Sequence, residues 1–318
     1  MTNSLVTIVI PVYNRAHTLP RLFASLKAQT YRPIEVIFVD NCSADNSYDV
    51  CRSIANENQE TDFKICVFRE STPGAAAARN QGLRQAKGDI VSFFDSDDEM
   101  SADFIASLMT EWQQRPDADF VVARSRMILK NGAAIERGGL DTLSLHTQIL
   151  SGALSTQSFI AKTAFIKRIG GWNAQLLFWD DYELGIRMLQ HSSEFIKVNR
   201  TFHRIYQHDD SLTGPSLSAT LPSIQTALPR IIQQILTPKT GVVTSNSRTA
   251  LFYRLCILAG KLKAERNSPG TLWLETHAQQ VAKDCKLSAL TRTLGWALQT
   301  YTANGGRGAW RIAIMLLR

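Results

Sequence analysis

Short apolar runs alternate with amphipathic stretches through the first hundred residues. Val6 to Val12, Ile34 to Val39, Phe63 to Phe68 and Ile90 to Phe94 have strand length and are bounded by turn residues. Runs of that kind read as buried strands of a parallel sheet. Between the first two, Leu19, Leu22, Phe23 and Leu26 form one helical stripe, with Thr18 as the expected cap and Pro20 in the first turn. A second helix runs from a cap at Asp45 toward Asn58, and Gly74 to Lys87 is an alanine-rich third. This alternation predicts an α/β fold with right-handed crossovers: a Rossmann-like, mainly parallel sheet flanked by helices on both faces.

The pattern loosens after Phe94. Ser101 to Trp112 reads as a helix, Phe120 to Leu129 as a longer strand, and Asn131-Gly132 as a hairpin turn into Ala133 to Glu136. Residues 138–155 suggest a loop with a short helix. Ala161 to Ile169 looks helical up to Gly170-Gly171, and Asp180 to His191 is a helix. Phe195 to Val198 and Phe202 to Tyr206 read as two short strands. Beyond Ala219 four segments show helical periodicity, followed by an apolar, arginine-bearing tail at 307–318. The expected division is therefore an α/β domain at 1–218 and a C-terminal α-helical region at 219–318.

Charge sharpens that division. The net charge of +7 is carried by residues 219–318, with 13 Lys and Arg against 3 Asp and Glu, leaving 22 against 25 in residues 1–218. Such asymmetry points to an anionic surface as partner. The tail suits either an interfacial helix on a membrane or a helix docked on its own bundle. The basic residues are dispersed and match no nucleic-acid module, so no nucleic-acid partner is expected. Five cysteines without a CxxC pair predict reduced thiols and no zinc site. With no basic leader and no membrane-spanning apolar run, the expectation is a cytoplasmic protein, peripheral at most on the inner face of the membrane.

Candidate chemistry sits at the ends of the strands. In an open parallel sheet, ligands bind just beyond those ends. Tyr13-Asn14-Arg15, Asp40-Asn41 and Asp95-Ser96-Asp97-Asp98 therefore belong to one edge. Tyr13 offers an aromatic face to a base, and Asp40 or Asn41 an acceptor for a base N–H or ribose hydroxyl. The clustered carboxylates suit Mg²⁺ or Mn²⁺ bridging to a diphosphate, or else form an acidic turn capping the next helix. There is no GxGxxG after the first strand and no GxxxxGK[ST], which disfavours dinucleotide and P-loop sites.

Five stretches carry a resemblance. Val9-Ile10-Pro11-Val12-Tyr13-Asn14, Val39-Asp40-Asn41-x-Ser43-x-Asp45, Ala78-Arg79-Asn80-x-Gly82, Phe94-Asp95-Ser96-Asp97-Asp98 and Trp179-Asp180-Asp181-Tyr182-Glu183-Leu184 follow in order. Together they resemble the family 2 glycosyltransferases of the GT-A fold, over roughly residues 4–215. The resemblance implies that Pro11, Tyr13 and Arg15 contact the nucleotide base, and that Asp40 and Asn41 meet uracil and ribose. Position 41 departs from the family's aspartate. Arg79 would meet ribose or phosphate, where the bland alternative is a surface arginine. Asp95 and Asp97 would form the DxD pair, with Asp97 or Asp98 on the metal. His208 would approach the metal or diphosphate, or is an ordinary loop histidine.

The same resemblance makes Asp181 the base of an inverting transfer, with Trp179 and Asp180 beside it in the substrate cleft. A carboxylate pair that merely favours the helix dipole is the alternative. Trp172 and Trp179 are candidates for a sugar platform or for plain packing. The implied function is transfer of a hexose from a nucleoside-diphosphate sugar, UDP by expectation, to a saccharide or lipid-linked acceptor in polysaccharide biosynthesis, with Mn²⁺ or Mg²⁺. The rival readings are a sugar-phosphate nucleotidyltransferase and a non-catalytic nucleotide-sugar-binding protein.

Overall fold

The computed structural model describes residues 4–129, 131–137, 143–206, 216–238 and 241–317. Its first elements follow the apolar pattern: β1 (Val6–Val12), α1 (Leu19–Lys27), β2 (Ile34–Asp40), α2 (Ser47–Glu57), β3 (Phe63–Arg69), α3 (Ala75–Gln85), β4 (Ile90–Phe93) and α4 (Phe104–Gln114). The sheet continues through β5 (Phe120–Ile128), β6 (Ala134–Arg137), β7 (Phe159–Lys162) and β8 (Phe195–Tyr206). Strand order is β3-β2-β1-β4-β7-β5-β6, with β8 paired to β5. β3, β2, β1 and β4 are parallel, and β7 joins β4 and β5 antiparallel.

Alternation along the strands separates two apolar faces. Val6, Ile8, Ile10 and Val12 of β1, with Val36 and Phe38 of β2, pack with the buried stripes of α1, α2 and α4. Ile37 and Val39 point the other way and meet Ala78 of α3. Pro11 lies inside β1 without breaking the ladder. Val9 accepts from Phe94 N–H on the β4 side, and residues two apart share a side. The missing Pro11 N–H thus falls past the end of β4.

Three expectations change. The run read as a helix from Ala161 begins as strand: Ala161 pairs with Val91 on one side and Phe120 on the other, and helix α6 covers only Thr163–Arg168. Periodicity cannot separate a buried strand from a helix over so few residues. The two short strands at 195–206 are one strand, β8, whose register on β5 shifts between Ala123 and Arg124 and again between Ser125 and Arg126. The polar Asn199-Arg200 and then His203 (φ 67°) take up the extra residues. Finally, the Thr18 hydroxyl does not cap α1; it donates to the carbonyls of Arg15 at 3.1 Å and Ser96 at 2.7 Å.

The chain divides into two compact units. One holds the sheet and comprises residues 1–141, 153–184 and 192–208; the other comprises 142–152, 185–191 and 209–318. The segment between β6 and β7 carries helix α5 (Leu145–Ser151), and α7 (Asp180–His191) precedes β8. The second unit further contains α8 (Leu217–Leu236), α9 (Ser245–Ala264), α10 (Ser268–Asp284), α11 (Ala289–Ala303) and α12 (Ala309–Leu316). Buried α9 is its centre, with α5, α8, α10, α11 and α12 packed on it. Of the tail, Ala309, Ala313 and Ile314 are buried. Among the described residues no helix is long and apolar enough to cross a membrane.

Helix α3 is seated by Gly82, where a Cβ would lie 2.2 Å from Val9 Cγ1 in the central strand. Alanine ordinarily stabilises a helix by up to about 1 kcal/mol over glycine, but crowding a packed core costs about 1–3 kcal/mol. Gly82→Ala should therefore be destabilising, read as a lower urea midpoint with an unchanged slope.

Candidate active site at the strand ends

The loops after β1, β2 and β4 are tied to one another by side chains. Asn14 Oδ1 accepts from Ala44 N–H at 2.8 Å, and Ser43 Oγ accepts from Asn14 N–H at 3.0 Å. Ser47 Oγ accepts from Arg15 N–H at 2.8 Å, and Asp45 Oδ2 from Ala16 N–H at 3.2 Å. The expected cap role of Asp45 is thus shared: its other oxygen accepts from Ser47 N–H at 3.0 Å while Asn46 stands at the cap position. Asn14 takes φ 50°, a left-handed conformation that asparagine tolerates. Tyr13 beside it is 58% exposed, so its ring is open to a ligand.

Asp40 and Asn41 end β2 and are both buried. Asp40 Oδ1 has no hydrogen-bond partner, an acceptor left open where a buried one is normally satisfied. Asn41 is fully occupied by the following loop. Its amide donates to the carbonyls of Glu70 at 2.9 Å and Thr72 at 2.8 Å, and its Oδ1 accepts from Gly74 N–H at 2.7 Å. An aspartate could not make those two donations, which gives the departure at position 41 a physical reason.

Arg79 is the hinge of the site. It is buried, not the surface arginine of the bland alternative. Its Nη2 donates to Asp95 at 2.7 Å and its Nη1 to Asp180 at 2.6 Å, and its guanidinium lies 4.4 Å over the Trp172 ring. Trp172 is buried edge-on to Phe93, so it packs under Arg79 and presents no platform to a sugar. Asn80, unassigned from sequence, clamps the same loop: it donates to Trp172 C=O at 2.7 Å and accepts from Trp172 N–H at 2.8 Å. Gly171 is required there, with φ 65° and a Cβ position 2.6 Å from Asn80 Oδ1.

The loop ends at Trp179, where φ 60° turns the chain sharply into α7. A bulky residue in that conformation stores about 1–3 kcal/mol, a cost typical of functional sites. Trp179 stacks on Phe178, lies tilted against Tyr182 and is partly exposed. Asp180 and Asp181 occupy the first turn of α7. Burial, then the neighbouring Asp180 charge, push the Asp181 carboxyl from 3.8 up to about 6, against the N–H of Tyr182 and the charge of Arg79. The helix terminus would favour the ionised form; desolvation outweighs it.

The acidic stretch divides by role. Burial raises Asp95 against the pull of Arg79. Asp97, partly exposed, accepts from Arg15 Nε at 3.1 Å. Asp98 is buried with both oxygens on protein donors, the Gln157 amide and Tyr206 N–H, and burial beside Asp97 and Asp95 pushes it up to about 8. It ties the end of β4 to β8, with each oxygen already accepting one protein hydrogen bond. Gln157 and Tyr206, distant in sequence, were not legible as its partners. Among the described residues no three His, Cys, Asp or Glu are grouped to hold a metal. His208 lies outside the described residues. The partly exposed Asp97 carboxylate, with Asp95 two residues before it, fits Mg²⁺ or Mn²⁺, which are commonly held by one or two carboxylates plus substrate phosphates.

The mainly parallel α/β sheet, with the candidate residues in loops at the carboxyl ends of its strands, has the GT-A fold. That fold is shared with S. aureus TarS 1-349 in complex with UDP-GlcNAc, at TM-score 0.69 and 18% identity over 97% of this chain and 90% of that one. Residues 7–166 match the model of Glycosyl transferase family 2, and the chain belongs to that family. An uncharacterized glycosyltransferase of Haemophilus influenzae is 30% identical over 59% of this chain and 63% of its own length. The Escherichia coli UDP-Glc:alpha-D-GlcNAc-diphosphoundecaprenol beta-1,3-glucosyltransferase WfaP is 38% identical over 30% of this chain and 36% of its own. The chain thus spans less than two thirds of the length of these curated relatives.

A carboxyl whose folded pKa is raised weakens the fold once it ionises. For Asp181 the penalty is absent below about pH 4, grows through pH 6 and is complete above. Asp181→Asn removes it. The stability gained over the unaltered protein in urea should be near zero at pH 4 and reach a plateau above pH 6.

Proposed function

We propose that the chain is an inverting glycosyltransferase that moves a hexose from a UDP-sugar to a saccharide or lipid-linked acceptor in polysaccharide biosynthesis. The observation that carries this reading is the placement of Asp181 in the first turn of α7, next to the Arg79 bridge between Asp180 and Asp95, where burial pushes its carboxyl up to about 6. A base of that strength is mostly ionised at neutral pH and well matched to accept a hydroxyl proton. In the step, the acceptor oxygen forms a bond to the anomeric carbon, its proton passes to Asp181, and the bond to the diphosphate breaks with UDP leaving on the opposite face.

Around that step, Tyr13 and the open Asp40 oxygen receive the nucleoside, while Pro11 and Asn41 shape the strand ends and loop beneath it. Arg15 holds Asp97, and Asp97 rather than Asp98 would carry a divalent ion. Bound there, Mn²⁺ or Mg²⁺ supplies charge neutralisation for the leaving diphosphate. Trp179, partly exposed at the entry to α7, faces the acceptor side with Asp180. Family membership, the UDP-GlcNAc complex of TarS and the UDP-Glc and GlcNAc-diphosphoundecaprenol substrates of WfaP support a UDP-sugar donor and a lipid-linked acceptor. Nothing favours nucleotidyl transfer or a purely binding role.

Asp181→Asn should keep a thermal shift with UDP-sugar and lose transfer by about 10²–10⁴-fold. In the unaltered enzyme kcat/KM should rise with pH through an apparent pKa near 6. Transfer by the variant within a few-fold of the unaltered rate would refute Asp181 as the base.

A further inference from the structure

The second unit carries a surface that the transferase reading does not use. Helix α12 buries Ala309, Ala313 and Ile314 and packs on α9 and α5. Its other side, set by i, i+4 spacing, presents Arg311 with Met315 and Ile312 with Leu316. Met315 is 62% exposed and Leu316 41%. Arg311 lies 5.2 Å over the Trp310 ring, and both line an open groove with Ile312 and Arg307.

Among the described residues of 219–318, no acid pairs with these arginines. Helices α8, α9, α11 and α12 contain no Asp or Glu, and the three acids of residues 219–318 have internal uses. Glu265 accepts from Leu217 and Ser218 N–H at the start of α8, Glu275 from the Gln299 amide, and Asp284 from the Gln280 amide. A water-soluble polyanion would satisfy Arg307 and Arg311 but leave Ile312, Met315 and Leu316 wet. An anionic bilayer interface takes both, the arginines at headgroup level and the apolar side chains below.

We infer that the exposed side of α12 docks on an anionic lipid surface. The inference stands apart from the transfer chemistry, since it is measured without donor or acceptor. The full chain should co-sediment with vesicles of phosphatidylglycerol and phosphatidylcholine, and not with phosphatidylcholine alone. The variant Arg311→Glu/Met315→Ser/Leu316→Ser should bind the anionic vesicles at least about tenfold more weakly, with its melting temperature and its thermal shift with UDP-sugar unchanged. Because all three side chains point to solvent, Met315→Ser/Leu316→Ser alone serves as a second variant and should also weaken vesicle binding. Absent binding by the unaltered chain, equal binding to neutral vesicles, or undiminished binding by the triple variant overturns the inference. So does a loss caused by Arg311→Glu with none from the two serines, which marks a plain polyanion site.

Discussion

One buried guanidinium joins the two acidic groups of this protein. Arg79 reaches Asp95 at the end of β4 and Asp180 at the start of α7, two positions far apart in the chain. An arginine out of water is costly unless its charge is met by good geometry and further contacts. Two carboxylates and the face of Trp172 supply both. The converse matters more for function. Without Arg79, Asp95, Asp180 and Asp181 would repel one another across a small, poorly solvated space. The bridge permits a carboxylate cluster at this point and leaves Asp181 raised but ionisable.

Much of the surrounding structure serves to place that arginine. Gly82 lets α3 close on Val9, which sets Arg79 on the sheet face opposite α1 and α2. Asn80, one residue on, grips both polar backbone atoms of Trp172 and holds the loop that delivers Asp180. The strained turn at Trp179 then points the first turn of α7 at the guanidinium. On the donor side, Asn41 pins residues 70–74 and Asp98 pins β4 to β8. Each of these residues fixes the position of backbone around the bridge.

The parallel strands were legible because Val6–Val12 and Ile34–Asp40 are buried on both faces and so read as unbroken apolar runs. β7 was not, since Phe159–Lys162 is too short for its period to show. The sequence of β8 reads as two pieces because the bulge at Asn199-Arg200 interrupts its alternation with polar side chains. The site was legible as motifs and not as geometry. That Asp40, Asp95 and Asp181 would share one site is an expectation drawn from strand ends and resemblance. The bridge at Arg79, the burial of Trp172 and the withdrawal of Asp98 into a structural role depend on contacts across long stretches of chain, which no local pattern encodes.

A double-mutant cycle on Arg79 and Asp180 tests the central claim most directly, with unfolding free energies measured at pH 7 for Arg79→Met, Asp180→Asn and the pair. If the bridge organises the site, the two substitutions share one loss. Their coupling energy should then be about 1–3 kcal/mol, with Asp180→Asn costing much less in the Arg79→Met background. Effects that add to within about 0.3 kcal/mol would contradict it, and Arg79 would be only one more buried residue beside the acids.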